Sequence, residues 1–317
     1  MRFLVAGAGS WGTAFTRVLL DRGHDIVLGC HTREQADAIR ETGRNPRYLA
    51  NVDLSAVETV PLDDAPGDVD VIVVAVPSRA FGDVAERLPG DAPVLSLTKG
   101  LDPATNERLS KRVVGRSVAV LSGPNIADEI AVGLPTAAVI ASEDGYLAGL
   151  LQHAVNSTVF RTYVNADIVG VELCAAAKNV IALAAGGVDG LDLGGNAKAS
   201  LITRGLAEMS RLGEAAGARA ETFSGLAGMG DLIVTCWSPH GRNRRAGELI
   251  AQGKTADEAV AEIGQTVEGL TTAPVLHELS VHLGVELPIT EGVCAVLSGQ
   301  SLTDLFARLM GREPTEE

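Results

Sequence analysis

Cysteine is scarce in this sequence, and the few cysteines are widely separated. The chain of 317 residues has four, Cys30, Cys174, Cys236 and Cys294, and no two of them form a C-x-x-C pair. Such spacing argues against a disulfide framework and against a zinc site of the usual ligand pattern. We therefore expect small buried cysteines, a reduced cytoplasmic setting and no bound metal.

Basic residues are also in short supply. Lysine and arginine total 26 against 40 aspartates and glutamates, which gives a formal net charge of −14. A surface of that charge argues against nucleic acid or an anionic membrane as the main partner. An anionic small molecule would need a local basic pocket, so any cluster of lysine or arginine becomes informative.

Long hydrophobic runs are missing as well. The longest uninterrupted runs, such as residues 71–76, fall far short of the roughly 18 residues that a membrane span needs. The apolar N-terminal segment is broken by three glycines, which is unlike a signal peptide. We expect a globular protein that is not inserted in a membrane.

The N-terminus contains a glycine motif in a specific context. The apolar run 3–6 leads into Gly7, Gly9 and Gly12, spaced G-x-G-x-x-G, and an amphipathic run follows at once. In this arrangement the first glycine permits a tight turn, the second lets the backbone approach a pyrophosphate, and the third lets helix and strand pack closely. The phosphates would lie at the helix N-terminus. The alternative is a glycine-rich turn that binds nothing.

The first half of the chain alternates strand-like and helix-like segments. Strands are predicted at residues 3–6, 25–28, 69–76, 93–97, 118–121, 137–141 and 159–164. This alternation, with continuously apolar strands, indicates a parallel, doubly wound sheet of the Rossmann type. The last two strands would extend that sheet.

After about Asp167 the strand signals almost vanish. Helices are predicted at residues 168–185, 196–216, 242–252, 267–283 and 289–297, with Asn196 as an N-cap, Gly217 as a stop signal and a frayed tail at 311–317. We therefore predict an α/β protein with a dinucleotide-binding domain at 1–167 and an all-α substrate domain at 168–317.

The end of the second strand bears on the choice of dinucleotide. In NAD-selective Rossmann folds an acidic residue at this tip binds the ribose hydroxyls, but none stands there in this sequence. His31 and Arg33 follow the strand instead, and an arginine fork suits a 2′-phosphate. We favour NADP over NAD, with dual use open. The alternative is that both side chains form an ordinary solvated strand end.

Three further segments carry candidate chemistry. Lys99 follows a predicted strand, at the sheet edge where open α/β folds bind ligands. Lys178 lies in an apolar, alanine-rich helix, where desolvation would lower its pKa and suit it for proton transfer. Asp231, among glycines and apolar residues, is a candidate partner for a buried lysine.

The densest positive cluster follows, with Arg242, Asn243, Arg244 and Arg245 at a predicted helix start, and it suits a phosphate. Each of these segments has a plainer interpretation. Lys99 could be solvated, Lys178 could extend to the surface, and the arginines could form an exposed helix face.

Taken in order, these segments resemble the bacterial NAD(P)-dependent sn-glycerol-3-phosphate dehydrogenase family. The matching motifs are residues 7–12, 76–78, 98–100, 122–129, 178–182, 196–198, 201–209, 228–232, 242–245, 264–269 and 287–289. They span nearly the whole chain, which makes them far more specific than one glycine loop. The resemblance implies a cytoplasmic, homodimeric enzyme that reduces dihydroxyacetone phosphate to sn-glycerol 3-phosphate for glycerophospholipid synthesis.

The resemblance also implies residue roles. It makes Lys178 the proton-transfer residue, and we expect Asp231 to orient its ammonium group and Lys99 to add positive potential. Cofactor contacts are implied at Ser10, Trp11, His31, Lys99, Ala127, Arg242 and Glu268. Substrate contacts are implied at Lys99, Gly123, Asn125, Lys178, Asp231, Gly241, Arg242 and Asn243.

The sequence departs from the family pattern at several positions. Asn125 and Ile126 stand where the family usually has Ser or Thr and Phe, Gly241 replaces a common serine, and Thr266 replaces a common valine. We expect these differences to affect cofactor preference and affinity more than the reaction. Two other functions stay open: a dehydrogenase for a different hydroxy acid, and a non-catalytic NAD(P)H sensor.

Overall fold

One sheet forms the framework of the N-terminal half. The computed structural model describes residues 1–303 and 305, and in them eight strands form the order β3-β2-β1-β4-β5-β6-β7-β8. The strands are β1 (Arg2–Ala6), β2 (Asp25–Cys30), β3 (Glu58–Pro61), β4 (Val71–Val74), β5 (Val94–Ser96), β6 (Val118–Ser122), β7 (Thr136–Ala141) and β8 (Phe160–Asn165). The tail predicted at 311–317 lies outside the described residues.

Helices cover both faces of this sheet. Phe3 and Val5 of β1 enter the core beneath α1 (Ser10–Asp21), α2 (Arg33–Thr42) and α5 (Gly145–Val155). Leu4 and Ala6 enter the opposite core, against α3 (Ser78–Glu86). All four side chains are fully buried, as a strand between two layers requires. The predicted doubly wound arrangement is therefore confirmed.

One pairing departs from the prediction of a parallel sheet. β7 runs antiparallel to β6, and β8 runs parallel to β7. The segment between β6 and β7 contains one helix, α4 (Ala127–Ala131), of five residues. So short a helix does not carry the chain back across the sheet, as a parallel crossover requires. The chain reverses at the carboxyl edge instead, so the last two strands extend the sheet as predicted, but β7 is not parallel to β6.

Strand β3 is not among the predicted strands. This strand has four residues, ends in proline and has one fully buried position, so its hydrophobic signal is weak. It pairs in parallel with β2, with Pro61 opposite Cys30. The 3₁₀ turn Leu62–Asp64 consequently lies beside the end of β2.

Beyond β8 the described regular elements are helical. They are α6 (Ile168–Gly190), α7 (Gly194–Ala215), α8 (Ala220–Ser224), a π-helical turn (Leu226–Gly230), α9 (Asp231–Trp237), α10 (Arg242–Ala251), α11 (Ala256–Ile263), α12 (Glu268–Leu283) and α13 (Pro288–Leu297). The predicted all-α second half is confirmed. The boundary that we place between residues 167 and 168 falls in the connection between β8 and α6.

Helix α6 is the central element of the helical half. Among the described residues it is the one helix long and apolar enough, at mean hydropathy 1.7, to cross a membrane, and 89% of that apolar window is buried inside the protein. Glu172 and Lys178 interrupt its apolar sequence, so it contains no long uninterrupted apolar run. Its apolar side chains pack with α7, α9, α10, α12 and α13 in the core of this half.

Glycines bring α10 unusually close to α6. A side chain at Gly186 would come within 1.9 Å of the Arg244 carbonyl oxygen, and one at Gly247 within 1.9 Å of the Leu183 carbonyl oxygen. The two backbones therefore touch, which residues with a Cβ would prevent. This contact places the start of α10 beside the middle of α6, where Lys178 lies.

The helix-end predictions have mixed outcomes. Gly217 follows the last residue of α7 closely and has φ of +84°, so the stop signal is confirmed. Asn196 is not an N-cap, because α7 begins at Gly194. Positive φ angles occur at Asp192, two residues before α7, and at Gly194, its first residue. The short helices α8, α9 and α11 were not predicted, although the capping box of α11 at Thr255 was readable.

Candidate active site

The glycine loop has the geometry of a phosphate cradle. A side chain at Gly7, where φ is +118°, would come within 2.5 Å of the Ala75 carbonyl oxygen, and one at Gly12 within 1.8 Å of the Gly7 carbonyl oxygen. Gly9 differs, because nothing in the described part of the chain lies within 4 Å of the Cβ that a side chain would add. It is the N-cap of α1, and among the described residues no side chain caps that helix. Open space and free N–H groups therefore meet at one point, which fits a pyrophosphate.

Ser10 and Trp11 open α1 directly beside that space. The Trp11 indole packs edge-on against Phe15, with ring centroids 5.7 Å apart. Its Nε1–H is buried and finds no acceptor in the described part of the chain. The loop is thus built from small and rigid groups, and the residues present fit a dinucleotide.

His31 and Arg33 lie at the end of β2 as predicted, and both are exposed. The structure also places Asp64 at this position, which the order of residues along the chain does not indicate. Arg33 Nη2 donates to Asp64 Oδ2 at 2.6 Å, because β3 places the turn Leu62–Asp64 next to β2. An acidic side chain is therefore present at this edge, supplied by the turn that follows β3 and paired with the arginine.

Three charged side chains from distant parts of the chain converge at the cleft between sheet and helices. Lys178 Nζ donates to Asp231 Oδ1 at 2.6 Å, and Lys99 Nζ donates to Asp231 Oδ2 at 2.7 Å. Lys178 is 5% exposed and Asp231 is 1% exposed. These contacts exclude both plainer interpretations: Lys99 is not simply solvated, and Lys178 does not extend to the surface.

Burial and charge set the protonation of this cluster. Burial lowers the pKa of Lys178 to about 7, aided by the nearby ammonium of Lys99 and opposed by Asp231. Burial acts to raise the pKa of Asp231, but the two ammonium groups outweigh it and leave that pKa below its ordinary value. The cluster therefore combines an ionised carboxylate with a lysine that exchanges its proton near neutral pH.

Two hydroxyl groups that the sequence analysis missed complete the cluster. Thr235 Oγ1 accepts from Lys178 Nζ at 2.8 Å, and Ser122 Oγ donates to Asp231 Oδ2 at 3.3 Å. Thr235 lies one turn after Asp231 on α9, so recognising that helix would have revealed it. Ser122 ends β6, at the edge where ligands bind in open α/β sheets.

Gly123 and Asn125 lie directly after β6. Lys99 Nζ also donates to the Gly123 carbonyl oxygen at 3.0 Å, and Gly123 adopts a φ of +141°, which favours glycine. Asn125 Nδ2 donates to the Ala137 carbonyl oxygen at 3.2 Å, while its Oδ1 is buried without a donor among the described residues. Both residues are thus brought to the predicted site.

The start of α10 presents positive charge to the same cleft. Gly241 is its N-cap, has no room for a side chain because Thr235 O would lie within 2.9 Å, and leaves the helix without a side-chain cap. The Arg242 side chain is exposed, and Nη1 donates to the Thr266 carbonyl oxygen at 3.0 Å. Free N–H groups and a guanidinium together suit a phosphate.

Asn243 makes more hydrogen bonds within the protein than we predicted. Its Nδ2 donates to Asn179 Oδ1 and its Oδ1 accepts from the Gly269 backbone N–H, both at 2.9 Å. One amide hydrogen is left for a ligand. The residue therefore links α10 to α6 and α12, which is a role that the sequence pattern did not indicate.

Glu268 and Ala127 occupy helix starts near the glycine loop and the cleft. Glu268 is the first residue of α12, and its carboxylate accepts from Ser78 across the cleft. Ala127 is the first residue of α4. The structure thus gathers a buried lysine with a pKa of about 7, a second lysine and the start of α10 with Arg242 between the sheet and the helices. That arrangement suits reduction of a small phosphorylated carbonyl compound.

Comparison with protein families agrees with this geometry. The model described as "NAD-dependent glycerol-3-phosphate dehydrogenase N-terminus" matches residues 3–148, and the corresponding C-terminus model matches residues 167–306. Together they cover most of the chain, and each falls on one structural half.

Curated proteins and solved structures point the same way. The chain is 45% identical to glycerol-3-phosphate dehydrogenase [NAD(P)+] of Corynebacterium glutamicum, covering 99% of this chain and 98% of that protein. It is 44% identical to the enzyme of the same name from Moorella thermoacetica, with 99% and 96% covered. The glycerol-3-phosphate dehydrogenase structure from Coxiella burnetii superposes with a TM-score of 0.94 at 36% identity, covering 98% and 99% of the two chains.

More distant structures share the fold alone. D-mandelate dehydrogenase with NADH superposes with a TM-score of 0.63 at 12% identity, so its hydroxy acid chemistry does not transfer to this chain. The family models and the full-length relatives instead agree with the motifs and with the site. The chain belongs to the NAD(P)-dependent glycerol-3-phosphate dehydrogenase family of oxidoreductases, with NAD or NADP as cofactor.

Proposed function

We propose that the protein reduces dihydroxyacetone phosphate to sn-glycerol 3-phosphate in the cytoplasm and so supplies glycerophospholipid synthesis. The observation that carries the proposal is the buried Lys178–Asp231–Lys99 cluster beside the uncapped start of α10. A positively charged binding site for a phosphate and a proton donor for a carbonyl oxygen then lie at one cleft. Within this proposal, residues 1–167 bind the dinucleotide and residues 168–317 bind the substrate.

The substrate is held by its charge. Arg242 and the free N–H groups at the start of α10 bind the phosphate, and one amide hydrogen of Asn243 adds to them. Gly241 leaves this helix start without a side chain, and the Thr235 carbonyl oxygen, within 2.9 Å of an added Cβ, leaves no room for one. Fixing the phosphate orients the carbonyl group toward the lysines, which lowers the entropic part of the barrier.

The glycine loop, with Ser10 and Trp11, holds the dinucleotide, and His31 and Arg33 face its adenosine end. When bound, NAD(P)H supplies a hydride to the carbonyl carbon of the substrate. The 2′-phosphate of NADP would draw Arg33 from Asp64, so we propose a preference for NADP with NAD still accepted.

Lys178 donates the proton. As negative charge develops on the carbonyl oxygen, the ammonium of Lys178 stabilises it and transfers a proton from Nζ to that oxygen. Asp231 and Thr235 fix the direction of Nζ. Lys99 adds positive potential from the opposite side of the same carboxylate. With a pKa of about 7, Lys178 serves alcohol oxidation equally well as a base.

The decisive experiment follows oxidation of NADPH and of NADH with dihydroxyacetone phosphate in the same assay. We expect turnover with both nucleotides and a higher kcat/KM with NADPH. Unphosphorylated dihydroxyacetone is the matched substrate control and should react poorly, because it lacks the group that Arg242 binds. Turnover of a 2-oxo or 3-oxo acid in its place would indicate a different dehydrogenase, and nucleotide binding without any turnover would indicate a sensor.

The family resemblance also supports a homodimer as the form of the protein in solution. Light scattering coupled to size-exclusion chromatography measures its mass directly. Twice the 32.8 kDa of the chain would support the dimer, and the mass of a single chain would contradict it.

A further inference from the structure

A second polar contact joins the two halves of the protein at the cleft. Ser78 is the first residue of α3 and is 2% exposed. Its backbone N–H donates to Glu268 Oε1 at 3.2 Å, and its hydroxyl donates to Glu268 Oε2 at 2.5 Å. Glu268 is the first residue of α12, so two helix starts from different halves are linked by one carboxylate.

The Glu268 carboxylate replaces a cap on α3. Pro77 is the residue before α3, and its side chain cannot accept hydrogen bonds from the first N–H groups of the helix. Glu268 supplies both an acceptor and a negative charge at this helix start. Because the two Ser78 donors engage different oxygens, they fix the plane of the carboxylate as well as its position.

The contact is packed tightly against the lysine-bearing loop. A side chain at Gly100 would come within 2.7 Å of Ser78 Cβ and within 3.4 Å of Glu268 Oε2. Gly100 directly follows Lys99, whose ammonium donates to Asp231. The position of Glu268 is therefore coupled to the segment that carries Lys99.

Glu268 keeps acceptor capacity for a ligand. An ionised carboxylate has about four lone-pair sites, of which Ser78 occupies two. Burial raises the pKa of Glu268. The hydrogen bonds from Ser78 lower it, as do the positive charges of Arg242 and Arg79, but together they offset only part of that rise. The free sites suit an amide N–H or a hydroxyl donor.

We propose that Ser78 is a positioning residue for cofactor binding. It holds the Glu268 carboxylate so that the free oxygen lone pairs accept from an amide or hydroxyl group of NAD(P)H, and it ties the helical half to the sheet in that arrangement. The inference rests on the proposed function, because it takes a nicotinamide dinucleotide as the ligand.

The structure offers a matched control for Ser78→Ala. Ser110 donates to the Glu172 carboxylate in the same way, with its backbone N–H at 2.8 Å and its hydroxyl at 2.6 Å. It is also buried, and it contacts α6 rather than α12. Ser110→Ala therefore removes an equivalent buried hydrogen bond without touching Glu268.

The test is a fluorescence titration of each variant with NADPH, without substrate. We expect the dissociation constant to rise about tenfold in Ser78→Ala, in line with one charge-assisted hydrogen bond, and to stay unchanged in Ser110→Ala. Ser78→Cys, which keeps the size of the side chain with a weaker donor, should give an intermediate rise. It takes the place of the alanine variant if that one does not fold.

A pH series separates positioning from a loss of packing. Without the Ser78 hydroxyl donor, Glu268 protonates at a higher pH, so the affinity deficit of Ser78→Ala should grow as pH falls from about 8 to about 6. Adding Ser78→Ala to Glu268→Gln should change the dissociation constant little further, because both changes act on one carboxylate.

Equal dissociation constants in Ser78→Ala and the unsubstituted protein would overturn the proposal, as would equal losses in Ser78→Ala and Ser110→Ala. Additive losses in the double variant would also overturn it. If the unsubstituted protein binds neither NADPH nor NADH, the proposed function fails and this inference fails with it.

Discussion

Lys99 and Lys178 come from different halves of the protein and donate to the two oxygens of one buried carboxylate. The distances from their Nζ atoms to Asp231 are 2.7 and 2.6 Å. Lys99 follows β5, Lys178 lies within α6, and Asp231 begins α9. Removing the charge of any one of the three residues therefore changes the electrostatic environment of the other two. The first three predictions follow from that coupling.

Replacing Lys178 with alanine should remove the proton donor. We expect kcat for dihydroxyacetone phosphate reduction to fall about 10²- to 10⁴-fold, the usual contribution of a general acid, with little change in the NADPH dissociation constant. Lys178→Met, which keeps most of the side-chain volume, should behave alike.

The control for this prediction is Lys198→Met. Lys198 is also a buried lysine, and it is paired with Asp189 at 2.7 Å outside the cluster. Its replacement should lower the melting temperature and leave kcat within a fewfold of normal. Near-normal turnover in Lys178→Ala would refute the assignment.

Turnover should depend on pH with opposite signs in the two directions. The pKa of Lys178 is lowered to about 7. Ketone reduction needs the protonated amine and alcohol oxidation needs the neutral one. The rate of reduction should therefore fall, and that of oxidation rise, as pH increases through about 7. Initial rates measured in both directions between about pH 6 and pH 8 test this, and two flat profiles would contradict it.

Asp231→Asn should shift that pH profile. The ionised carboxylate raises the pKa of Lys178, so its loss should move the decline in ketone reduction to a lower pH. One buried and one partly buried ammonium group would also lose their counter-charge, which we expect to destabilise the protein by about 3–5 kcal/mol. Melting curves and pH profiles measured on one preparation check both effects, and an unmoved profile would separate Asp231 from Lys178 protonation.

Arg242→Ala should weaken substrate binding strongly. Loss of charge-assisted hydrogen bonds to a phosphate corresponds to a rise in KM for dihydroxyacetone phosphate of about 10- to 100-fold. The slow reaction with unphosphorylated dihydroxyacetone should be much less affected. Arg245→Ala is the control, because Arg245 lies on the same helix and pairs with Glu262 and Glu248 at the surface. An unchanged KM in Arg242→Ala would move the phosphate site elsewhere.

The Arg33–Asp64 pair should set the preference between cofactors. Arg33→Ala should lower kcat/KM for NADPH about tenfold or more, by loss of a charge-assisted contact to the 2′-phosphate, and change that for NADH little. Asp64→Asn should have the opposite effect on NADPH, because the carboxylate that holds Arg33 at 2.6 Å and repels a phosphate is removed.

Asp63→Asn is the control for Asp64→Asn. Asp63 lies on the same 3₁₀ turn and forms a similarly exposed ion pair with Arg87. It should leave the ratio of kcat/KM for NADPH and NADH unchanged. Equal ratios in all three variants and the unsubstituted protein would remove this edge from cofactor selection.

Local pattern was enough to predict the parts of the fold that local physics controls. The structure contains the predicted glycine turn, the apolar strands buried on both faces and the helices with a 3.6-residue period. Short elements escaped, because β3 and α8 contain too few residues to establish a period. The reversal at β7 escaped for a different reason, since strand direction depends on the length of a connection rather than on the strand itself.

The amino-acid order by itself determined which chemistry is present: a glycine loop for phosphate, a lysine stranded in an apolar helix, an aspartate among glycines and a run of arginines in an acidic chain. Apart from the expected pair of Lys178 and Asp231, tertiary structure alone decided the partners. Lys99 and Asp231 are 132 residues apart and Ser78 and Glu268 are 190 apart, distances along the chain at which no local periodicity carries information. Burial then fixed the protonation of Lys178, because a pKa is set by what surrounds a group in space and not by its neighbours in sequence.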